Sequence, residues 1–182
     1  MKRNLVFDSK FKKFPLKYIF QCILATITVF AILLFLNVLK ETAIITALGA
    51  STFIIFTMPT QYSSDIRRLV GGYIVGITIG IIFYIIYNAQ IESIHVFSEQ
   101  TSLILFGAIA VGLAIFVMSI INAEHAPAAG IALGLVINNW DLSTILFIIL
   151  AVTWLASVKH LLKGYLMDLI SPYENIPTEH KR

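Results

Sequence analysis

The stretch Glu124-His125-Ala126-Pro127-Ala128-Ala129-Gly130 holds the residue types best able to do chemistry. A carboxylate, an imidazole and a proline stand between two strongly apolar segments, Thr101 to Ile121 and Ile131 to Ile137. Such groups are costly in an apolar setting unless they line a cavity or an aqueous face. Pro127 suits the first turn of a helix, where its missing N–H is no loss. The spacing then predicts free amides at Ala128, Ala129 and Gly130, donors at the positive end of a helix dipole and a natural seat for an anion. His125 can donate in either charge state or supply a titratable proton.

Two other places complete the candidate site. Ser51 and Thr52, in Gly49-Ala50-Ser51-Thr52, carry neutral hydroxyl donors, and Arg67-Arg68 can concentrate anions at a mouth of the protein. The same arginines also read simply as a topology signal. Glu124 opposes an anion unless it is paired with His125 or Arg67, or turned to solvent. Unpaired, it would point to cation or proton handling.

These residues must be positioned by membrane helices. Of 182 residues, 58% are hydrophobic and only 13% charged, against about a quarter charged in a soluble domain. The fold class is therefore all-α, a polytopic membrane bundle formed as one domain over residues 18–165. A basic leader (1–17) precedes it and a polar tail (166–182) follows. The basic residues cluster at the ends, and although those of the leader alternate with Phe7, Phe11 and Phe14, aromatic–basic interleaving of the RNA-binding kind is missing, so a lipid bilayer and not a nucleic acid is the expected partner. Cys22 is the only cysteine, which excludes an intrachain disulfide.

Six apolar segments follow in order: 18–39, 42–58, 69–88, 101–121, 127–137 and 142–158. The second and fifth are short against the roughly 20 residues a crossing requires. If all six cross, both termini and Arg67-Arg68 share one side, expected to be the cytoplasm of a bacterial inner membrane, and the 89–100 loop without Lys or Arg lies on the other. If the short segments were re-entrant, only four would cross and the charge rule would fail. Six crossings divide into three plus three, each half with a short Gly- or Pro-containing middle segment, a pattern that points to an inverted repeat with a transport site. Gly72, Gly76 and Gly80 recur every four residues, one close-packing face of the third segment. The glycine faces also offer surfaces for a homo-oligomer.

Gly-x-Ser with a distant histidine admits a second reading, a Ser51–His125 intramembrane hydrolase. No third orienting group is evident from the sequence, and enzymatic activity is not expected. His95, His125, His160 and His180 are scattered without metal-ligand spacing, and phosphate-loop and dinucleotide signatures are absent, so neither metal nor cofactor is expected. A third reading is a membrane scaffold without transport.

The chain resembles the HPP family of small integral membrane proteins over most of residues 20–160. The resemblance rests on Gly49-Ala50-Ser51 with Phe56 and Pro59, on Arg67 four residues before Gly71-Gly72, and on His125-Ala126-Pro127-Ala128-Ala129-Gly130. Ala126 stands where the family has its first proline, an additional alanine precedes the glycine, and Tyr73 stands where the family often has histidine. The resemblance implies four spans, against the six of the charge argument. Some members are linked to nitrite, so it also implies a small inorganic anion as substrate, passing where the two short segments meet.

Overall fold

The structure, a computed structural model, describes residues 11, 13–34, 42–93 and 98–169. Most of the basic leader, the tail beyond residue 169 and the 94–97 part of the acidic loop lie outside the described residues. All regular structure among those described is helical: α1 (Pro15–Leu34), α2 (Thr42–Thr57), a 3-10 turn (Tyr62–Ser64), α3 (Ile66–Ser93), α4 (Glu99–Ile120), α5 (Ala126–Ile137) and α6 (Leu142–Leu162). Local chemistry fixes the helix starts. Asp65 accepts from the Arg67 amide before α3, Ser98 from Thr101 before α4, and Asp141 from Thr144 before α6. Each satisfies one of the orphan donors of a first turn.

Four helices, α1, α3, α4 and α6, are long and apolar enough to cross a membrane. The other two are not. α2 has 16 residues and α5 has 12, about 24 Å and 18 Å of helix against a hydrocarbon core of about 30 Å. The short helices nevertheless run from one end of the bundle toward the other. Gly72, Gly76 and Gly80 meet α5 in ascending order, at His125, Ala128 and Leu135, so α3 and α5 are parallel. Gly107 meets Leu133 and Ile137, so α4 is antiparallel to α5. Ser51 meets His125 while Gly134 meets Ala43 and Ile44, so α2 is antiparallel as well. α6 runs from beside Trp140, whose ring lies tilted against Tyr84, back to Lys159 at Ser64. Chain direction thus alternates through all six helices, the order the basic residues imply.

Exchanging α1–α3 with α4–α6 leaves the set of substantially touching helix pairs unchanged. α1–α2 maps onto α4–α5, α2–α6 onto α5–α3, and α1–α6 onto α4–α3, while α2–α5 and α3–α6 map onto themselves. This is the adjacency of an inverted repeat. The two halves are not equally packed, for α5 is sheathed by α2, α3 and α4 and is the more enclosed of the short helices.

Close approach is what encloses α5. A Cβ on Gly72 would lie 2.7 Å from the His125 Cβ, one on Gly80 2.9 Å from the Leu135 Cβ, and one on Gly76 would collide with the Ala128 carbonyl. The glycine face read from the sequence is therefore the seat of α5. In lipid, where apolar association has little hydrophobic drive, such van der Waals contact holds helices together. The chain does not leave the bundle after α6. Leu166 and Leu169 are buried, Leu169 donates to Thr57 O at 2.8 Å, and the Gln21 amide spans Phe56 O (2.6 Å) and Met167 O (2.9 Å). Residues 166–169 thus strap the start of α1 to the end of α2.

Candidate functional site

The end of α4 delivers the site. Asn122 has φ 60°, the left-handed position at which asparagine is tolerated next after glycine, and the Ala123 amide reaches back to Met118 O at 2.9 Å. Together these form a Schellman ending. The turn aims Asn122 and Glu124 at the start of α3 and leaves His125, in extended conformation (φ −136°, ψ 98°), as the residue before α5. Gly72, which faces His125, is six residues into α3, so the imidazole lies about 9 Å inside the bundle from that helix's start.

There His125, Ser51 and Tyr73 form a buried chain. His125 Nε2 is 2.8 Å from Ser51 Oγ, which is 2.8 Å from Tyr73 Oη, and His125 Nδ1 is 3.1 Å from the Ser63 carbonyl oxygen. A carbonyl can only accept, so Nδ1 carries a proton. The arrangement that satisfies every group has Ser51 donating to Nε2 and Tyr73 donating to Ser51, with the imidazole neutral. A cationic ring would leave one hydroxyl hydrogen of the chain, that of Ser51 or of Tyr73, without an acceptor along it.

Two buried cations flank the chain. Arg68, on the first turn of α3, is ion-paired with Glu124, donates to Asn122 Oδ1 at 2.7 Å, and lies over the Tyr62 ring, 3.0 Å from its centroid. The single Tyr62 hydroxyl hydrogen is shared between Asn122 Oδ1 (2.7 Å), the nearer acceptor, and Glu124 Oε2 (3.2 Å). Lys159 of α6 donates to the Ser64 carbonyl and to Ser64 Oγ at 2.9 Å. Residues 59–65 therefore form a lid held mainly by polar contacts: Tyr62 to Glu124 and Asn122, Ser63 to His125, Ser64 to Lys159, and Thr60 to Asp168. Beside it a groove of about 260 Å³ is lined by Ile115, Met118, Ser119, Glu124, His125, Ala126 and Ala129.

The residues singled out in the sequence are only partly gathered here. His125, Ser51 and Glu124 meet at the site, Pro127 stands in the first turn of α5, and Ala129 borders the groove. The Ala128 amide is not free, because it closes the first turn onto His125 O at 2.9 Å. Gly130 packs toward Ala47. Thr52 turns its hydroxyl back to Leu48 O and lines a small apolar cavity between α1 and α2, away from His125. Arg67 is exposed, and Glu124 pairs with Arg68 instead. Successive residues on a helix point about 100° apart, so only one of two neighbours can face inward.

Lys159, Asn122 and the Ser63 and Ser64 acceptors were not legible as site residues. Tyr73 had a signal, its position directly after Gly71-Gly72. Among the described residues no three His, Cys, Asp or Glu side chains gather in a cluster able to hold a metal ion.

Helices of this length and hydropathy, enclosing a buried polar corner, define a multi-pass helical membrane protein. More particularly, the family model described as HPP, transmembrane region, matches residues 12–175, and the chain belongs to the HPP family. No curated protein and no solved structure matches it.

Proposed function

We propose that the protein moves a small monovalent inorganic anion, nitrite-like in size, across the membrane past the start of α5. The observation that carries this reading is the fully buried Tyr73–Ser51–His125 chain beside two buried cations, Arg68 and Lys159. Intramembrane polar and ionisable groups are expensive and mark solute pathways more often than they stabilise a bundle. The hydroxyls of Ser51 and Tyr73, the His125 ring and the two cations offer donors without requiring an unpaired buried charge. The conformation described is a closed one: His125 and Ser51 have no exposed surface, and the lid and the Arg68–Glu124 pair stand over them. Passage requires these contacts to part. The alternating helix directions and exchangeable halves support a carrier that opens to either side.

Arg67, Arg68, Lys159 and the first turn of α1 lie at one end of the bundle, and by the positive-inside rule this supports a cytoplasmic setting for that end in a bacterial inner membrane. The apolar outer faces leave room for a homo-oligomer. The test is flux into proteoliposomes against nitrite, nitrate, formate, chloride and protons. Accumulation of one or more anions supports the reading; tight vesicles for the whole panel refute it.

One observation favours a second reading. Ser51 and His125 are within hydrogen-bond reach, and the Ser63 carbonyl orients the imidazole as the third group of a hydrolase would. Labelling by a fluorophosphonate probe that disappears in Ser51→Ala would establish this reading. A probe-silent wild type removes it.

A further inference from the structure

Glu124 is the one feature of the corner that an anion pathway does not obviously want, and its geometry gives it a use. Its Oε2 is the acceptor on which two donors converge, Arg68 Nη1 and the Tyr62 hydroxyl. The two partners differ sharply in burial. The Arg68 side chain is 8% exposed, that of Glu124 39%. The carboxylate is half in water and can be solvated on release, whereas the guanidinium cannot be left bare without a large penalty. Glu124 also borders the groove beside α5, so a carboxylate that lets go of Arg68 has space to occupy.

Resting on the anion-transport reading above, we infer that the Glu124 carboxylate occupies, in this closed conformation, the binding place of a free carboxylate-shaped oxyanion, which enters by displacing it from Arg68 and Tyr62. The ligand class follows from the resident group. A carboxylate is a bent O–C–O unit of one negative charge, and formate is that unit without its tether; nitrite has the same bent, singly charged shape. The exchange is self-coupled. Because Arg68 is buried, release of Glu124 is costly until another anion arrives, and its departure removes one of the lid's fastenings at Tyr62. Binding and opening are then a single event. No bond is made or broken.

The test is formate binding to the purified full-length protein by calorimetry, with flux measured on the same preparations. A tethered carboxylate that holds Arg68 nine-tenths of the time weakens binding of a free anion about tenfold. Glu124→Gln, which keeps a hydrogen-bonding partner for Arg68, is expected to tighten formate binding by about that factor. Glu124→Asp, one methylene shorter, is expected to fall between it and the wild type, and serves if the glutamine variant does not fold. Arg68→Gln is expected to abolish binding. Nitrite should follow formate, and chloride should bind more weakly. Formate affinity in both Glu124 variants within twofold of wild type, or weaker, overturns the inference even if flux is present. If formate affinity responds as expected but wild-type vesicles pass no anion, the site stands and the transport reading fails.

Discussion

Gly72→Ala adds one methyl group at the point where α3 touches the residue before α5. The new Cβ would lie 2.7 Å from the His125 Cβ, 3.1 Å from the Ala123 carbonyl oxygen and 3.3 Å from the Ala128 Cβ. Ordinary contact between such atoms begins at 3.4 Å, so the His125 Cβ must retreat by roughly 0.7 Å, and a backbone oxygen and a second Cβ crowd two other sides. Overpacking of this kind costs about 1–3 kcal/mol. A shift of that size would also stretch the 2.8 Å bond between His125 and Ser51 toward the limit of a hydrogen bond, a further loss of about 1 kcal/mol. The sum, about 2–4 kcal/mol, corresponds to a fall in apparent Tm on the order of 5–15 °C for a chain of this size. The assay is thermal unfolding in detergent, with Gly112→Ala as control, since nothing lies within 4 Å of a Cβ there. The control is expected to hold or raise Tm, because alanine is the better helix former. A Gly72→Ala protein as stable as Gly112→Ala would refute the close seating of α5 on α3.

Ser51→Ala removes the middle of the buried chain and orphans both His125 Nε2 and the Tyr73 hydroxyl, at a cost of about 2–4 kcal/mol, whereas Tyr73→Phe leaves the Ser51–His125 bond intact and costs about 1 kcal/mol. Equal melting temperatures for the two variants would contradict the donor order assigned here. Gln21→Leu strips partners from Phe56 O and both backbone groups of Met167, so Tm should fall with a loss of about 2–4 kcal/mol and the segment after α6 should become accessible to protease; an unchanged cleavage pattern argues against the strap. The Glu124 carboxyl is held below its ordinary value of 4.5, first by its own backbone amide, and also by the Tyr62 hydroxyl and Arg68. A lowered folded pKa contributes stability that is complete above pH 4.5 and lost as the pH falls through the folded value. The Tm gap between wild type and Glu124→Gln should therefore be constant near neutrality and close on acidification below that point.

Much of this arrangement could be read from residue types because membrane physics leaves few choices. Long apolar runs must be helices in lipid, Pro127 after a polar pair must start one, and glycines every four residues must face a neighbour. The positions of the basic residues anticipated the alternating direction of all six helices, although only α1, α3, α4 and α6 are long and apolar enough to cross by themselves. The site was legible where one residue had to be inside, as with His125. It was illegible where two neighbours competed. Arg67 and Arg68 differ only by rotation about α3, and Ser51 and Thr52 only by rotation about α2, so nothing local decides which faces His125. Lys159 meets Ser64 across a separation of 95 residues, and the lid owes its place to contacts with α3, α6 and the α4–α5 turn. Such juxtapositions are set by packing, and no spacing in the chain encodes them.

Nitrite uptake by proteoliposomes containing wild type or His125→Ala decides whether an anion passes the start of α5, with size-exclusion and melting profiles to establish that both are folded. Concentration-dependent uptake is expected of the wild type, and uptake at the level of empty vesicles of His125→Ala. Equal uptake by the two folded proteins would contradict it, because the anion would then be crossing somewhere other than the start of α5.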